Sequence, residues 1–314
     1  MLSNTMTETP SVGAACAAAP TEVIERAAEA ELLEAALLSG AHVLLEGPPG
    51  TGKSTLLRRI ATGRRIPFVM VEGNAELTPA RLIGHFDPAL VLSKGYVPEI
   101  FEDGPLLEAL RTGGLLYVEE LNRIPEETLN VLLTAMSELE INVPRLGRVA
   151  GAPGFALVAA MNPFDAIGTA RVSSALYDRT CRISMDYQTA GAEQAIVDLR
   201  IADLDPTWRA KVVDLVRRTR EHDDIRFGSS VRGAIDVARL SVELARLRGT
   251  RTDDWHVGLA AAKASLSGRI RLHDGCDRTP EQVVTELYVA VFGAEASELD
   301  PDAPDSTEGS PGEP

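Results

Sequence analysis

The sequence predicts an α/β fold, a parallel sheet with helices on both faces, followed by a small all-α part. Three observations predict it. Short apolar runs alternate with helical stretches up to about residue 187, and only helical patterns follow. A glycine-rich loop joins the first apolar run to the next helix. A pair of acids ends a later apolar run, where open α/β sheets bind their ligands.

The elements follow in order. Residues 1–20 are rich in Ala, Thr, Ser and Pro with no apolar period, which predicts a disordered tail. From Thr21 to Ser39, Ile24, Ala28, Leu32 or Leu33, and Leu37 share one helical face, and Gly40 ends the helix. The runs His42–Leu45, Phe68–Val71, Leu115–Val118 and Phe155–Ala160 read as buried strands. Pro125 opens a helix with Leu129, Leu132, Leu133 and Met136 on one face. Beyond Tyr187, the segments Ala190–Ile201, Thr207–Arg220, Val231–Leu247 and Asp253–Leu272 read as helices. The expected plan is an α/β domain over 21–187, an all-α lid over 188–292 and an acidic disordered tail over 293–314. That tail has seven acids and no basic residue.

Composition bounds the function. The net charge is −15, which argues against a general nucleic-acid surface. No apolar run reaches the roughly 18 residues of a membrane span, and the start lacks the basic residues of a secretory signal. Cys16, Cys181 and Cys276 are odd in number and far apart, so a reducing, cytoplasmic setting is expected. His42, His85, His222, His256 and His273 form no metal pattern.

The loop Gly47-Pro48-Pro49-Gly50-Thr51-Gly52-Lys53-Ser54, continued by Thr55, fits the P-loop pattern for phosphate binding. Its glycines let the backbone turn several N–H groups onto one anion, and the helix starting near Lys53 adds its positive end. Lys53 can reach the β- and γ-phosphates of ATP, and the Ser54 hydroxyl can bind Mg²⁺. The acids Glu119-Glu120 end the strand Leu115–Val118. The first suits Mg²⁺ through water, and the second suits orienting the attacking water.

These residues, with Glu120-Leu121-Asn122-Arg123 and Asn162-Pro163, resemble an AAA+ ATPase over roughly residues 21–290. Within that superfamily the chain resembles the MoxR group, related to CbbQ and NorQ activases and magnesium chelatase ATPase subunits. The resemblance implies that Asn162 is the sensor-1 residue, and that Arg179, after Ser174–Asp178, is an arginine finger for the neighbouring subunit. Arg171 and Arg182 are rivals for that role. It also implies that Arg232, after Gly228-Ser229-Ser230-Val231, is the sensor-2 arginine, with Ser229 or Ser230 capping its helix. The usual acid pair is Asp-Glu, so Glu119 predicts slowed or retuned hydrolysis rather than none. Residues 82–104 correspond to a helix-2 insert, read as a β-hairpin turning at Ser93-Lys94-Gly95. Residues 139–150 correspond to a pre-sensor-1 hairpin. The family likeness implies a hexameric ring that remodels or activates a client, with a von Willebrand factor A domain protein as partner. Alternatives are a nucleotide-switched binding module with little turnover and a DNA-acting motor.

Overall fold

The computed structural model describes residues 23–163 and 173–295. The expected tails lie outside them, apart from residues 293–295, and so does Arg171. The elements run α1 (Ala27–Leu38), β1 (His42–Glu46), α2 (Lys53–Arg64), β2 (Phe68–Glu72), α3 (Pro79–Ile83), β3 (Gly84–Phe86), α4 (Pro88–Lys94), β4 (Phe101–Asp103), α5 (Pro105–Thr112) and β5 (Leu115–Glu119). They continue with α6 (Glu126–Glu138), β6 (Glu140–Val143), β7 (Gly147–Ala150), β8 (Ala156–Met161), α7 (Ser174–Asp178) and β9 (Thr180–Ser184). The C-terminal part holds α8 (Ala190–Arg200), α9 (Pro206–Arg218), β10 (Ile225–Phe227), α10 (Val231–Arg248), α11 (Trp255–Leu266), β11 (Arg271–Leu272) and α12 (Pro280–Phe292).

Five strands form one parallel sheet in the order β2-β5-β8-β1-β9. The central strands β1 and β8 are buried along their whole length, as unbroken apolar runs covered on both faces should be. One core lies on the face of α5 and α6, around Leu106, Leu110, Leu132 and Leu157; the other lies beneath α1 and α2, around Leu33, Leu57 and Val158. A third core joins α8 to α12 around Trp208, Val237 and Tyr288.

Four departures from the sequence reading have physical causes. The first helix begins at Ala27, because Arg26 turns inward instead of continuing the periodic face. A fifth strand, β9, was not foreseen; it is an edge strand, exposed at Cys181, Arg182 and Ser184. In the insert, β3 and β4 do pair, but Ser93-Lys94-Gly95 ends helix α4 rather than forming the hairpin turn. Asp87 caps that helix by accepting from the Ala89 and Leu90 amides. The C-terminal helices also carry the short antiparallel pair β10–β11 and the additional helix α12.

His42 fixes where β1 begins. Its Nδ1 accepts from the Leu157 amide at 3.0 Å, and its Nε2 lies 3.2 Å from the Met136 carbonyl. Both contacts hold together only for the neutral ring with Nε2 protonated. Burial pushes its pKa below the ordinary 6.5, against a smaller opposing effect of the Met136 hydrogen bond. The folded-state pKa is depressed, so the contribution is complete above about pH 6.5 and is lost as the unfolded chain takes up a proton below it. Urea midpoints should therefore fall from pH 7.5 to 5.5, by at most about 1.4 kcal/mol per pH unit from this group. His42→Asn should remove that part of the slope; an unchanged slope would show that His42 does not titrate with unfolding.

Candidate functional site

The parallel register brings the C-terminal ends of β1, β5, β8 and β9 to one edge of the sheet. The loop 47–52 leaves β1 there and feeds α2. Its backbone is fixed by two close approaches. A Cβ at Gly47 would lie 2.0 Å from the Met185 carbonyl oxygen, and one at Gly50 would lie 2.2 Å from Ser230 Oγ. Only glycine permits both, and Gly50 at φ +78 also needs the left-handed region. Pro48, Pro49, Thr51 and Gly52 complete the turn, and the Thr51 hydroxyl donates to the Pro48 carbonyl at 3.1 Å.

Lys53 opens α2 and points into the loop. Its Nζ donates to the carbonyls of Gly47 and Pro48, both at 2.8 Å. Burial lowers its pKa to about 8; Glu119 opposes that shift, and Arg232 and Arg26 add to it. The Ser54 hydroxyl donates to Glu119 Oε1 at 3.0 Å and lies 3.3 Å from the buried Tyr117 hydroxyl. A hydroxyl and a carboxylate this close suit a hard divalent cation whose other ligands are phosphate and water. No group of three or more His, Cys, Asp or Glu among the described residues could hold a metal. The protein part of a magnesium site would be Ser54 and Glu119.

Glu120 follows with left-handed backbone, φ 51 and ψ 44. Gly73 forces this tight passage: its amide donates to the Glu119 carbonyl at 2.7 Å, and a Cβ there would lie 2.5 Å from the Glu120 carbonyl oxygen. The Glu120 carboxylate pairs with Arg123 at 3.0 Å. Asn162 stands just beyond β8, next to the loop, since the Gly47 amide donates to the Met161 carbonyl at 3.2 Å. Its carbonyl is 3.5 Å from Asn122 Nδ2.

Arg232 lies in the first turn of α10, and its Cγ is 3.7 Å from a Cβ built on Gly50. Ser230 is the N-cap residue, although its side chain does not close the cap. A small cleft of about 120 Å³ opens there, lined by Ile24, Gly50, Thr55, Ile196, Val231 and Arg232 among others. Arg179 is not part of this group. It is exposed at the end of α7, where its Nε donates to Ser137 Oγ at 2.6 Å and its Nη1 to the Ala175 carbonyl at 2.9 Å. Arg182, one of its rivals, is held by its own subunit's buried Glu46.

Three residues escaped the sequence reading. Arg26 is buried and donates to the carbonyls of Thr51 and Asp186, tying the N-terminal segment to the loop and to the end of β9. Glu46 accepts from Tyr177 as well as Arg182. Arg220 donates to Glu193 at 2.7 Å and to the Ser229 carbonyl at 2.7 Å, bracing the turn before Arg232. Glu46 had a signal, a charge closing an apolar strand; Arg26 and Arg220 had none, because carbonyl acceptors leave no pattern in sequence.

Residues 42–180 match the family described as AAA domain (dynein-related subfamily). The chain is 30% identical over 206 residues to the gas vesicle ATPase GvpN of Haloferax mediterranei, a match spanning 60% of this chain and 59% of that protein. It is 28% identical over 206 residues to an uncharacterized protein of Staphylococcus epidermidis, spanning 64% of this chain and 78% of that one. A RuvB variant of Thermotoga maritima shares the fold with a TM-score of 0.53 at 20% identity, covering 77% of this chain and 71% of RuvB. NtrX of Brucella abortus does so with a TM-score of 0.51 at 19% identity, covering 69% and 48%.

Because Lys53 titrates near pH 8 and a bound phosphate would favour its charged form, ATP affinity should be highest below pH 8. It should fall as pH rises through 8, by up to about tenfold per unit. Lys53→Ala should weaken ATP binding at least roughly thirtyfold and remove that pH dependence. Fluorescent-nucleotide titrations at pH 7 and 9 check both, with circular dichroism confirming a folded variant.

Proposed function

We propose that this AAA+ ATPase hydrolyses ATP with Mg²⁺ at sites shared between subunits of a ring, and uses the cycle to remodel or activate a partner protein. The observation that carries the reading is the Ser54–Glu119 contact at the mouth of the phosphate loop, with Glu120 one residue further. The magnesium ion would supply charge neutralisation at the β- and γ-phosphates. Lys53 leaves the loop carbonyls for the phosphates, as its charge finds a stronger acceptor there. Glu120 turns from Arg123 to orient and polarise the attacking water, and Asn162 lies beside it. Arg232 closes the C-terminal helices onto the nucleotide. Arg179, exposed and bonded to Ser137 and Ala175 rather than to the loop, completes the neighbour's site.

The client role is supported by the two inserts. The β3–β4 and β6–β7 pairs both stand outside the main sheet, and Leu92 on α4 is 91% exposed. In MoxR-type ATPases such segments face the pore or partner, and a von Willebrand factor A domain protein is the partner that this likeness favours. No helix among the described residues is long and apolar enough to cross a membrane.

Two experiments test the chemistry. Glu120→Gln should retain ATP and lose turnover by roughly 10²–10⁴, while Glu119→Asp should keep or raise activity. Normal turnover in Glu120→Gln beside a dead Glu119→Gln would exchange the two roles. Arg179→Ala should bind ATP almost normally and hydrolyse it slowly, with a loss on the order of 10³–10⁵. Specific activity of the unmodified protein should rise with concentration as rings assemble. Mixing Arg179→Ala with Glu120→Gln should restore activity at interfaces that pair an intact Arg179 with an intact Glu120; concentration-independent turnover by a monomer would refute sharing.

A further inference from the structure

Glu46 is a carboxylate with 4% of its side chain exposed, one residue before the phosphate loop. A buried charge must be met by donors. Two meet it here. The Tyr177 hydroxyl donates to Oε1 at 2.9 Å, and Arg182 Nε donates to Oε2. The donors flank Arg179 in sequence, Tyr177 on α7 and Arg182 on β9. β9 also pairs with β1 in parallel, with Arg182 opposite Leu44 and Ser184 opposite Glu46. The segment 177–182 is thus clamped, by backbone and by side chains, to the strand that becomes the loop. Among the described residues, Arg179 has a hydroxyl and a carbonyl as partners, Ser137 and Ala175, and no carboxylate.

We infer that Glu46 is a positioning residue for the arginine that a subunit presents to its neighbour: through Tyr177 it fixes α7, and so the place of Arg179, relative to its own phosphate loop. This rests on the reading that Arg179 acts in trans. The physical ground is that a hydrogen bond to a buried carboxylate is stronger and more directional than the exposed contacts of Arg179. Tyr177 keeps its proton, since burial and the Glu46 contact both raise its pKa, so it remains a donor across the working pH range. Glu46 carries no assigned role in the reaction at its own loop.

The test reads one subunit's substitution in another subunit's active site. Arg179→Ala serves as acceptor, with an intact Glu120 and no finger. Glu120→Gln serves as donor, with an intact Arg179 and no turnover of its own. A second donor adds Tyr177→Phe, and a third adds Glu46→Gln. Tyr177 is 41% exposed and loses only a hydroxyl, so the second donor keeps the fold. The Glu120→Gln donor should restore the acceptor's activity. The doubly substituted donors should restore roughly tenfold less kcat, as expected for losing a hydrogen bond to a charged group. The acceptor's KM for ATP and the ring population should not change, and the donors should remain folded at the assay temperature. Full restoration by the Tyr177→Phe and Glu46→Gln donors would overturn the inference while leaving the trans arginine standing. No restoration by the Glu120→Gln donor itself would overturn the trans reading and this inference with it.

Discussion

The close approach of Gly47 to the Met185 carbonyl is the constraint on which the rest of the site depends. β1 and β9 run in parallel, and the Met185 amide donates to the Glu46 carbonyl at 2.7 Å. The loop must therefore leave β1 across the end of β9 with no side chain between them. From that point the Gly47 amide reaches the Met161 carbonyl, which sets Asn162 beside the loop. Arg26 locks the same corner by holding Thr51 and Asp186 from the opposite side. A larger residue at position 47 would push apart three strands, not one.

The second organising feature is charge. The chain as a whole is acidic, yet Arg26, Lys53 and Arg232 converge on the loop. Their mutual repulsion is tolerated because each is engaged elsewhere or near the surface. Lys53 rests on carbonyl oxygens, Arg26 on carbonyls and Glu29, and Arg232 on the exposed start of α10. Such a cluster of cations suits a polyanion held at the loop.

How much of this was legible follows from what each residue contacts. The strands β1, β5 and β8 showed in the sequence because both faces are buried, and burial on both faces writes an unbroken apolar run. β9 did not show, because an edge strand with Cys181, Arg182 and Ser184 exposed has no such run. The loop, Ser54 and Glu119 stood out because a phosphate-loop pattern sets residue types at fixed spacing, whereas Arg232 was named only through the family resemblance. Ser93-Lys94-Gly95 misled, since the same small and flexible residues that make a hairpin turn also end a helix; the deciding signal was Asp87 six residues earlier, an N-cap followed by Pro88. Arg26 and Arg220 act on carbonyls far away in sequence, and only a folded chain brings donor and acceptor together.

The topology also joins the sheet edge to the two inserts by two routes. Glu72 and Glu119 are partners in register, and Gly73 donates to the Glu119 carbonyl, so β2 and β5 end at a common point. From β2 the chain runs through α3 to the β3–β4 insert; from β5 it runs through Glu120 and α6 to the β6–β7 hairpin. The buried Thr128 hydroxyl ties the second path to the first at the Leu77 carbonyl, 2.7 Å away. The two paths meet again at their far ends, where the Arg145 guanidinium lies 3.9 Å from the Tyr96 ring centre, and Tyr96 packs edge-on against Phe86. Two arms joined at both ends cannot move independently without breaking a buried hydrogen bond or a cation–π contact. The two arms therefore form one closed frame between the ends of β2 and β5 and the inserts.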